Sequence, residues 1–263
     1  NPDVKQYLFD TIRFWVDTFD IDGIRLDCAN VLDFGFMKEL RNQTSAIKDD
    51  FWLMGEVIHG DYSRWVNDEM LHSVTNYELH KSIYSGHNDH NYFEIAHNVR
   101  RLEAIGGRLY TFVDNHDEDR IASKLSDPEH LYPVYTLLFT LPGIPSIYYG
   151  GEWGIEGRRT KTSDDALRPR ITIADEEKLH CGLTDLIARL GTIHDENPEF
   201  HGGRYQELLL TNRQYAFARF HQGHAVITAV NNDGADVSVA IPCPVSGTTA
   251  VNLLDGEEYP VTD

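Results

Sequence analysis

Gly23-Ile-Arg-Leu-Asp27 is a short apolar run that closes on a carboxylate, and the chain uses the same device twice more, in Gly55-Glu-Val-Ile-His59 and Phe112-Val-Asp-Asn-His-Asp117. Strand-like and helical runs alternate around these segments, the pattern of a parallel α/β fold. A parallel α/β barrel gathers the C-terminal ends of its strands around one mouth, so carboxylates distant in sequence can meet there. Glycoside hydrolysis is a chemistry that needs such a meeting.

Working outward, Asn1 and Pro2 suit a helix start, and Val4, Tyr7, Leu8, Ile12, Trp15, Val16 and Phe19 recur at helical spacing. A second helix is expected over 33–48, with Phe34, Met37, Leu40 and Ile47 on one side, then a strand over 51–57 that brings Glu56 to its end. A short helical stretch over 62–70 and a weaker strand over 73–77 follow. The segment 81–92, rich in His, Asn and Asp, reads as an active-site loop or lid. Next come a helix over 94–105 broken by Gly106-Gly107, a strand over 109–113, a helix over 132–141 stopped by Pro142-Gly143, and a strand over 146–149. The loop 152–169 carries Trp153, Arg158, Arg159 and Arg168, and a helix spans 176–194. Beyond Pro198, the runs 205–210, 215–220, 225–231, 237–241 and 249–253 read as strands of a small antiparallel sandwich, with turns such as Asn231-Asn-Asp-Gly234 between them.

Composition narrows the function class. With 263 residues, 41% of them hydrophobic, the chain can bury a sizeable core and suggests two domains. A formal net charge of −19 argues against a nucleic-acid partner, which calls for an excess of Lys and Arg. No window approaches a membrane span. The three cysteines, Cys28, Cys181 and Cys243, are odd in number and far apart, which argues against a disulfide framework. Cys28 follows Asp27 on the same strand, so it is expected to face the opposite side and to serve packing. None of the thirteen histidines forms a His-Glu-x-x-His arrangement, and there is no Cys-x-x-Cys, so no metal site is assigned.

In order and wording the three carboxylate segments resemble motifs of the α-amylase superfamily, glycoside hydrolase family 13. That resemblance implies an α/β fold: residues 1–200 would be the C-terminal part of a (β/α)8 TIM barrel, about strands 4 to 8, and residues 201–263 a small, incomplete all-β domain. Gly143-Ile-Pro-Ser-Ile-Tyr-Tyr-Gly150 resembles the family's eighth strand. The family's earlier Asp-to-Asn-His motif has no counterpart before Gly23. The missing N-terminal half would then be supplied by the same chain or by a nicked partner.

The resemblance also implies an activity: retaining hydrolysis of α-1,4-glucosidic bonds in maltooligosaccharides, cyclodextrins or starch fragments by double displacement. An α-glucan transglycosylase and a non-catalytic, barrel-bearing accessory subunit are the alternatives. Asp27 fits the nucleophile, a short carboxylate mounted on a strand, with Arg25 two residues back on the same side to hold it ionised. Glu56 fits the general acid and base. Asp117 would be the third carboxylate, clamping substrate hydroxyls, with His116 bonding the same sugar. His59 and Asn30 complete the expected substrate contacts, and Tyr84, Tyr92 and Trp153 offer rings to sugar faces. Arg120 is expected in a structural salt bridge. Ala29-Asn30 after the nucleophile looks more like cyclomaltodextrinases and neopullulanases, whereas Asn115-His116-Asp117 has the commoner form. The chemistry needs no cofactor, and calcium is left open without a ligand set because part of the family's usual set lies in the absent early motif. The expected partner is an α-glucan or oligosaccharide, with neither nucleic acid nor membrane.

Overall fold

The computed structural model of the chain describes residues 1–247 and 249–261, so Thr248, Thr262 and Asp263 of the expected all-β region lie outside it. The chain divides into two compact units, residues 1–78 with 108–110, and residues 79–107 with those from 111 onward.

The first unit begins with α1 (Pro2–Phe19), capped by Asn1, whose side-chain oxygen accepts from the Asp3 N–H at 2.8 Å. The periodicity that predicts this helix does not predict its burial: of its side chains only Ile12 is buried, and Tyr7, Phe14 and Phe19 are exposed. Strand β1 (Gly23–Leu26) follows, then α2 (Phe34–Ile47), whose cap Asp33 accepts from the Phe36 N–H at 2.8 Å. Helix α2 buries Met37, Leu40 and Thr44. Strands β2 (Trp52–Gly55) and β3 (Ser73–Val74) complete a parallel sheet in the order β1-β2-β3. Its register pairs Gly23 with Trp52, Leu26 with Gly55, and Met54 with Ser73. Only Gly fits position 55, since a Cβ there would stand 2.6 Å from Leu71 Cδ1 and 2.8 Å from Ala29 Cβ. Of the helix expected over 62–70 a single 3-10 turn forms, Tyr62–Arg64, because Val66 bridges back to Leu71 and leaves the helical path.

The second unit takes in most of α3 (Tyr77–Asn88), together with α4 (Tyr92–Arg101). Helix α3 replaces the loop or lid expected over 81–92. Its polar residues were the misleading signal: His80, Ile83 and His87 recur three and four apart and are buried, as on the inner face of a helix. The His87 ring bonds the Ile83 carbonyl through Nδ1 at 2.7 Å and lies edge-on to Tyr92. Tyr92 is therefore core rather than a sugar platform. Short strand β4 (Tyr110–Thr111) precedes α5 (Ile121–Lys124) and α6 (Leu131–Thr140). The strand expected over 146–149 lies earlier, as β5 (Ile144–Pro145), because the Gly151 N–H turns back onto the Tyr148 carbonyl.

The expected helix over 176–194 is two helices, α7 (Ile173–Leu179) and α8 (Gly182–Glu196). They separate at His180 and Cys181, which leave the helical conformation, and the Thr184 hydroxyl accepts the Cys181 N–H at the start of α8. Strands β6 (Arg204–Leu210), β7 (Gln214–His221) and β8 (His224–Asn231) form an antiparallel sheet in that order, and β9 (Thr249–Val251) pairs antiparallel with β10 (Glu258–Pro260). Among the described residues, 237–241 carry no strand, so the expected sandwich is reduced to one sheet and one ribbon. Pro242 and Pro244 directly after this run remove two backbone donors.

One core serves helices and sheet alike: Ile83, Tyr92, Ile95, Val134, Leu138 and Leu190 cluster with Tyr215, Phe217 and Val230. Arg219 is buried at its margin, donating to the carbonyls of Thr140, Phe200 and Gly203. Burial lowers its pKa to about 10.

Two predictions follow from the packing. Gly55→Ala overpacks the first unit and should cost about 1–3 kcal/mol in urea unfolding; an unchanged midpoint would refute the close approach. Burial pushes His72 and His87 down from 6.5 to about 4. Their contribution is fully present above pH 6.5 and is lost as pH falls towards 4, where the unfolded chain takes up protons first. Asp114, raised to about 6 by burial, acts oppositely, gaining stability as pH falls through that value. The urea midpoint should fall between pH 6.5 and 4, and His87→Gln should flatten the fall.

Candidate active site

The register of β1 and β2 ends both strands at one level, and the ladder continues past them: the Glu56 N–H donates to the Leu26 carbonyl at 2.8 Å, and the Ala29 N–H to the Glu56 carbonyl at 2.8 Å. Asp27 and Glu56 therefore emerge side by side. Arg25 lies between them, with Nη1 2.8 Å from Asp27 Oδ1 and Nη2 3.2 Å from Glu56 Oε2. The same-side placement of Arg25 and Asp27 agrees with the strand alternation, while the second reach, to Glu56, was not legible in the sequence.

The two carboxylates differ in their surroundings. The Asp27 side chain is 74% exposed and that of Glu56 only 7%, so the first is open to an incoming molecule and the second is enclosed. Glu56 is held from three sides. Tyr77 Oη donates to Oε1 at 3.3 Å, the Cys28 N–H donates to Oε2 at 3.1 Å, and the Arg25 guanidinium forms an ion pair with Oε2 at 3.2 Å. Tyr77 escaped the sequence analysis because it follows the expected strand 73–77 only as its last residue. Next to Glu56, the Val57 N–H donates to Thr75 Oγ1 at 2.9 Å, which fixes the strand end. The hydrogen bond and charge of Arg25 hold the Asp27 carboxyl below its ordinary pKa of 3.8.

Cys28 corrects an expectation. Strand β1 stops at Leu26, and Cys28 adopts a left-handed conformation at φ 45°, so strand alternation no longer governs where it points. It is exposed, and its sulfur joins the carboxylate oxygens of Asp27 and Glu56 in a group whose atoms lie within 4.8 Å of one another. The Asp27 charge pushes its thiol pKa up. Among the described residues this is the one group of three or more His, Cys, Asp or Glu side chains close enough to hold a metal ion. Its donors do not suit calcium, which takes oxygen ligands, and Arg25 already brings a positive charge to both carboxylates.

Asn30 and His59 are exposed in the turns that follow β1 and β2, with no side-chain hydrogen bond to another described residue. In the second unit, His116 Nε2 lies 3.1 Å from Asp117 Oδ2, and Arg168 Nη2 lies 3.6 Å from Asp117 Oδ1. The Asn115 side chain closes this turn, accepting from the N–H groups of Asp117 and Glu118 at 2.9 Å each. Behind it, His80 and Lys124 hold Glu118 ionised, with its pKa pushed down to about 2. Trp153 is half-buried, and the ring of Tyr84 is covered by the Lys124 ammonium at 4.5 Å. Arg120 is buried, 4.0 Å from Asp114 Oδ2, and donates to the Tyr149 carbonyl at 2.8 Å.

Residues 1–180 match the family described as Alpha amylase, catalytic domain. The chain belongs to the α-amylase family. It is 36% identical to a maltogenic alpha-amylase of Bacillus acidopullulyticus, over 98% of this chain and 45% of that protein. It is 31% identical to neopullulanase 2 of Thermoactinomyces vulgaris, again over 98% and 45%. Among solved structures, an Anoxybacillus α-amylase superposes with a TM-score of 0.87 at 26% identity, covering all of this chain and 59% of that one. The α/β barrel enzymes of this family are thus its structural relatives. The chain spans less than half the length of these two curated relatives.

The site geometry sets a chemical expectation for Cys28. Because Asp27 is the largest cause of the raised thiol pKa, Asp27→Asn should speed carbamidomethylation of Cys28 by iodoacetamide at pH 8 several-fold. Peptide mass spectrometry reads the rate, with Cys181 and Cys243 as internal references; an unaltered Cys28 rate would place the thiol outside the field of Asp27.

Proposed function

We propose that this chain carries the catalytic residues of a retaining glycoside hydrolase acting on α-1,4-glucosidic bonds of maltooligosaccharides, cyclodextrins or starch fragments. The observation that carries the reading is the Asp27–Arg25–Glu56 constellation. Retaining enzymes hold their two carboxyl groups about 5–5.5 Å apart and inverting ones about 6.5–9.5 Å apart. In this chain an oxygen of Asp27 and one of Glu56 lie within 4.8 Å of each other with Arg25 paired to both, which is compatible with the first arrangement; the retaining assignment itself rests on the family resemblance. The exposed, ionised Asp27 takes the part of the nucleophile that attacks the anomeric carbon. Glu56 protonates the leaving oxygen and later takes a proton from the incoming water. For the first of these steps Glu56 must carry a proton. Tyr77 on one oxygen and Cys28 N–H with Arg25 on the other leave its orientation fixed while that proton comes and goes.

Asp117 is assigned the third carboxylate and His116 a hydroxyl contact on the same sugar, on the strength of the Asn115-His116-Asp117 motif. Asn30 and His59 are assigned substrate contacts in the same way, their exposure leaving them available. The relatives named cyclomaltodextrinase, neopullulanase and maltogenic amylase support short or cyclic α-glucans as the substrate class. The chemistry needs no cofactor.

With maltoheptaose as substrate, Asp27→Asn and Glu56→Gln should each lower kcat by on the order of 10⁴-fold, while Asn30→Ala should act mainly on KM. Near-normal turnover by Asp27→Asn would remove the nucleophile assignment. Transfer products that dominate over hydrolysis at high substrate would move the reading to a transglycosylase, which shares the same first step.

A further inference from the structure

Strand β8 is the edge of its sheet: it pairs with β7 on one side, and among the described residues no strand lies along the other. The Asn232 N–H donates to the Arg213 carbonyl. From there the unbroken register turns the backbone groups of Val226, Thr228 and Val230 towards β7 and those of Ala225, Ile227 and Ala229 outward. The strand, His224-Ala-Val-Ile-Thr-Ala-Val-Asn231, carries neither a charged residue nor Pro, the features that ordinarily guard a free edge. A cleft of about 630 Å³ lies against it. Six consecutive residues, 224–229, line this cleft, which puts it at the strand's edge, because alternate side chains point to opposite faces of a sheet. Leu190, Ile193 and Phe200 line it too, and the polar side chains of Thr140 and Asn197 on the same wall are turned into the carbonyls of Thr136 and Ile193. The cleft therefore offers apolar walls beside a row of outward backbone groups.

The chain holds a segment that matches this edge. After β8 it reverses in a turn, where Asn231 Nδ2 donates to the Ala235 carbonyl and Asn231 Oδ1 accepts from the Asp233 N–H, each at 3.0 Å. Val237-Ser-Val-Ala-Ile241 follows, with large apolar residues at every second position, yet it carries no strand, and Val237 and Val239 are 47% and 41% exposed. With Asn231 opposite Asp236 across a four-residue loop, Val237, Val239 and Ile241 stand opposite Val230, Thr228 and Val226. Thr228 and Val230 are buried, so this register sends the three apolar side chains to the inner face of the sheet and leaves Ser238 and Ala240 outside with Ile227 and Ala229. It also sets Pro242 opposite Ala225, where the missing N–H ends the pairing.

We propose that residues 237–241 are a strap that closes on β8 as a fourth strand, pairing Ser238 with Ala229 and Ala240 with Ile227 and filling the cleft with Val237, Val239 and Ile241. The structure holds the strap in its released position, tethered beside the edge by the turn 231–235. Closing it covers an uncharged edge strand that is otherwise free to pair with another chain.

Residue-resolved amide exchange by NMR on the whole chain reads the pairing. Closure should slow the N–H groups of Ile227, Ala229, Ser238 and Ala240 by on the order of 10²-fold relative to unfolded-chain rates. Exchange of all four near those rates in the unsubstituted chain would overturn the proposal. Ser238→Pro removes a donor of the strap and should release Ile227 and Ala229, while Thr228 and Val230, whose backbone groups face β7, stay protected and report an intact sheet. Protection of Ile227 and Ala229 that survives Ser238→Pro also sinks the strap, and its growth with protein concentration would assign the edge to a second copy of the chain.

Discussion

A single guanidinium between two carboxylates is the constraint on which the first unit depends. Two carboxylates whose oxygens lie within 4.8 Å of one another repel whenever both are ionised. Arg25 offsets that repulsion only if it reaches both at once, and it does so only if β1 and β2 end at one level. The parallel register, Leu26 opposite Gly55, secures this, and the absent side chain at Gly55 lets Ala29 and Leu71 close in beneath. A one-residue slip would turn Arg25 and Asp27 to the other face of the sheet together. At the opposite end of the two strands, where they begin, Lys48 pairs with Asp20 and Asp22.

What could be read from the sequence was what local pattern determines. Apolar runs ending on Asp27 and Glu56 located the strands within a residue or two, and Asn1 with Pro2 located the first helix start. Residues set by distant parts of the chain were not legible. Tyr77 reaches Glu56 because β3 lies beside β2. Cys28 enters the site because its backbone turns left-handed, a state that nothing in its neighbours' residue types announces. Helix α3 was hidden because buried histidines look like loop residues when only polarity is read; their spacing held the signal.

The second unit shows how charge and polarity are kept inside without opposite charges close at hand. Arg219 donates only to carbonyls, and Arg120 combines a carbonyl with an aromatic face and a distant Asp114. Such sites fix backbone from several segments at once, because a guanidinium has five donors in a rigid fork and a lysine could not replace it. The turn that carries His116 and Asp117 is held in this way by Asn115 in front and by Asp114 and Arg120 behind.

The shared core of α3, α4, α6 and α8 with β7 and β8 bears on how such a chain could be inherited in pieces. Tyr215, Phe217 and Val230 pack into the same cluster as Tyr92, Leu138 and Leu190, and Arg219 ties the sheet to the carbonyl of Thr140 at the end of α6. Recombination between relatives near residue 200 would therefore break a continuous apolar interior rather than a linker. The β sheet is not a separable module, and exchange among homologues must carry the helices with it or re-match both faces of the seam.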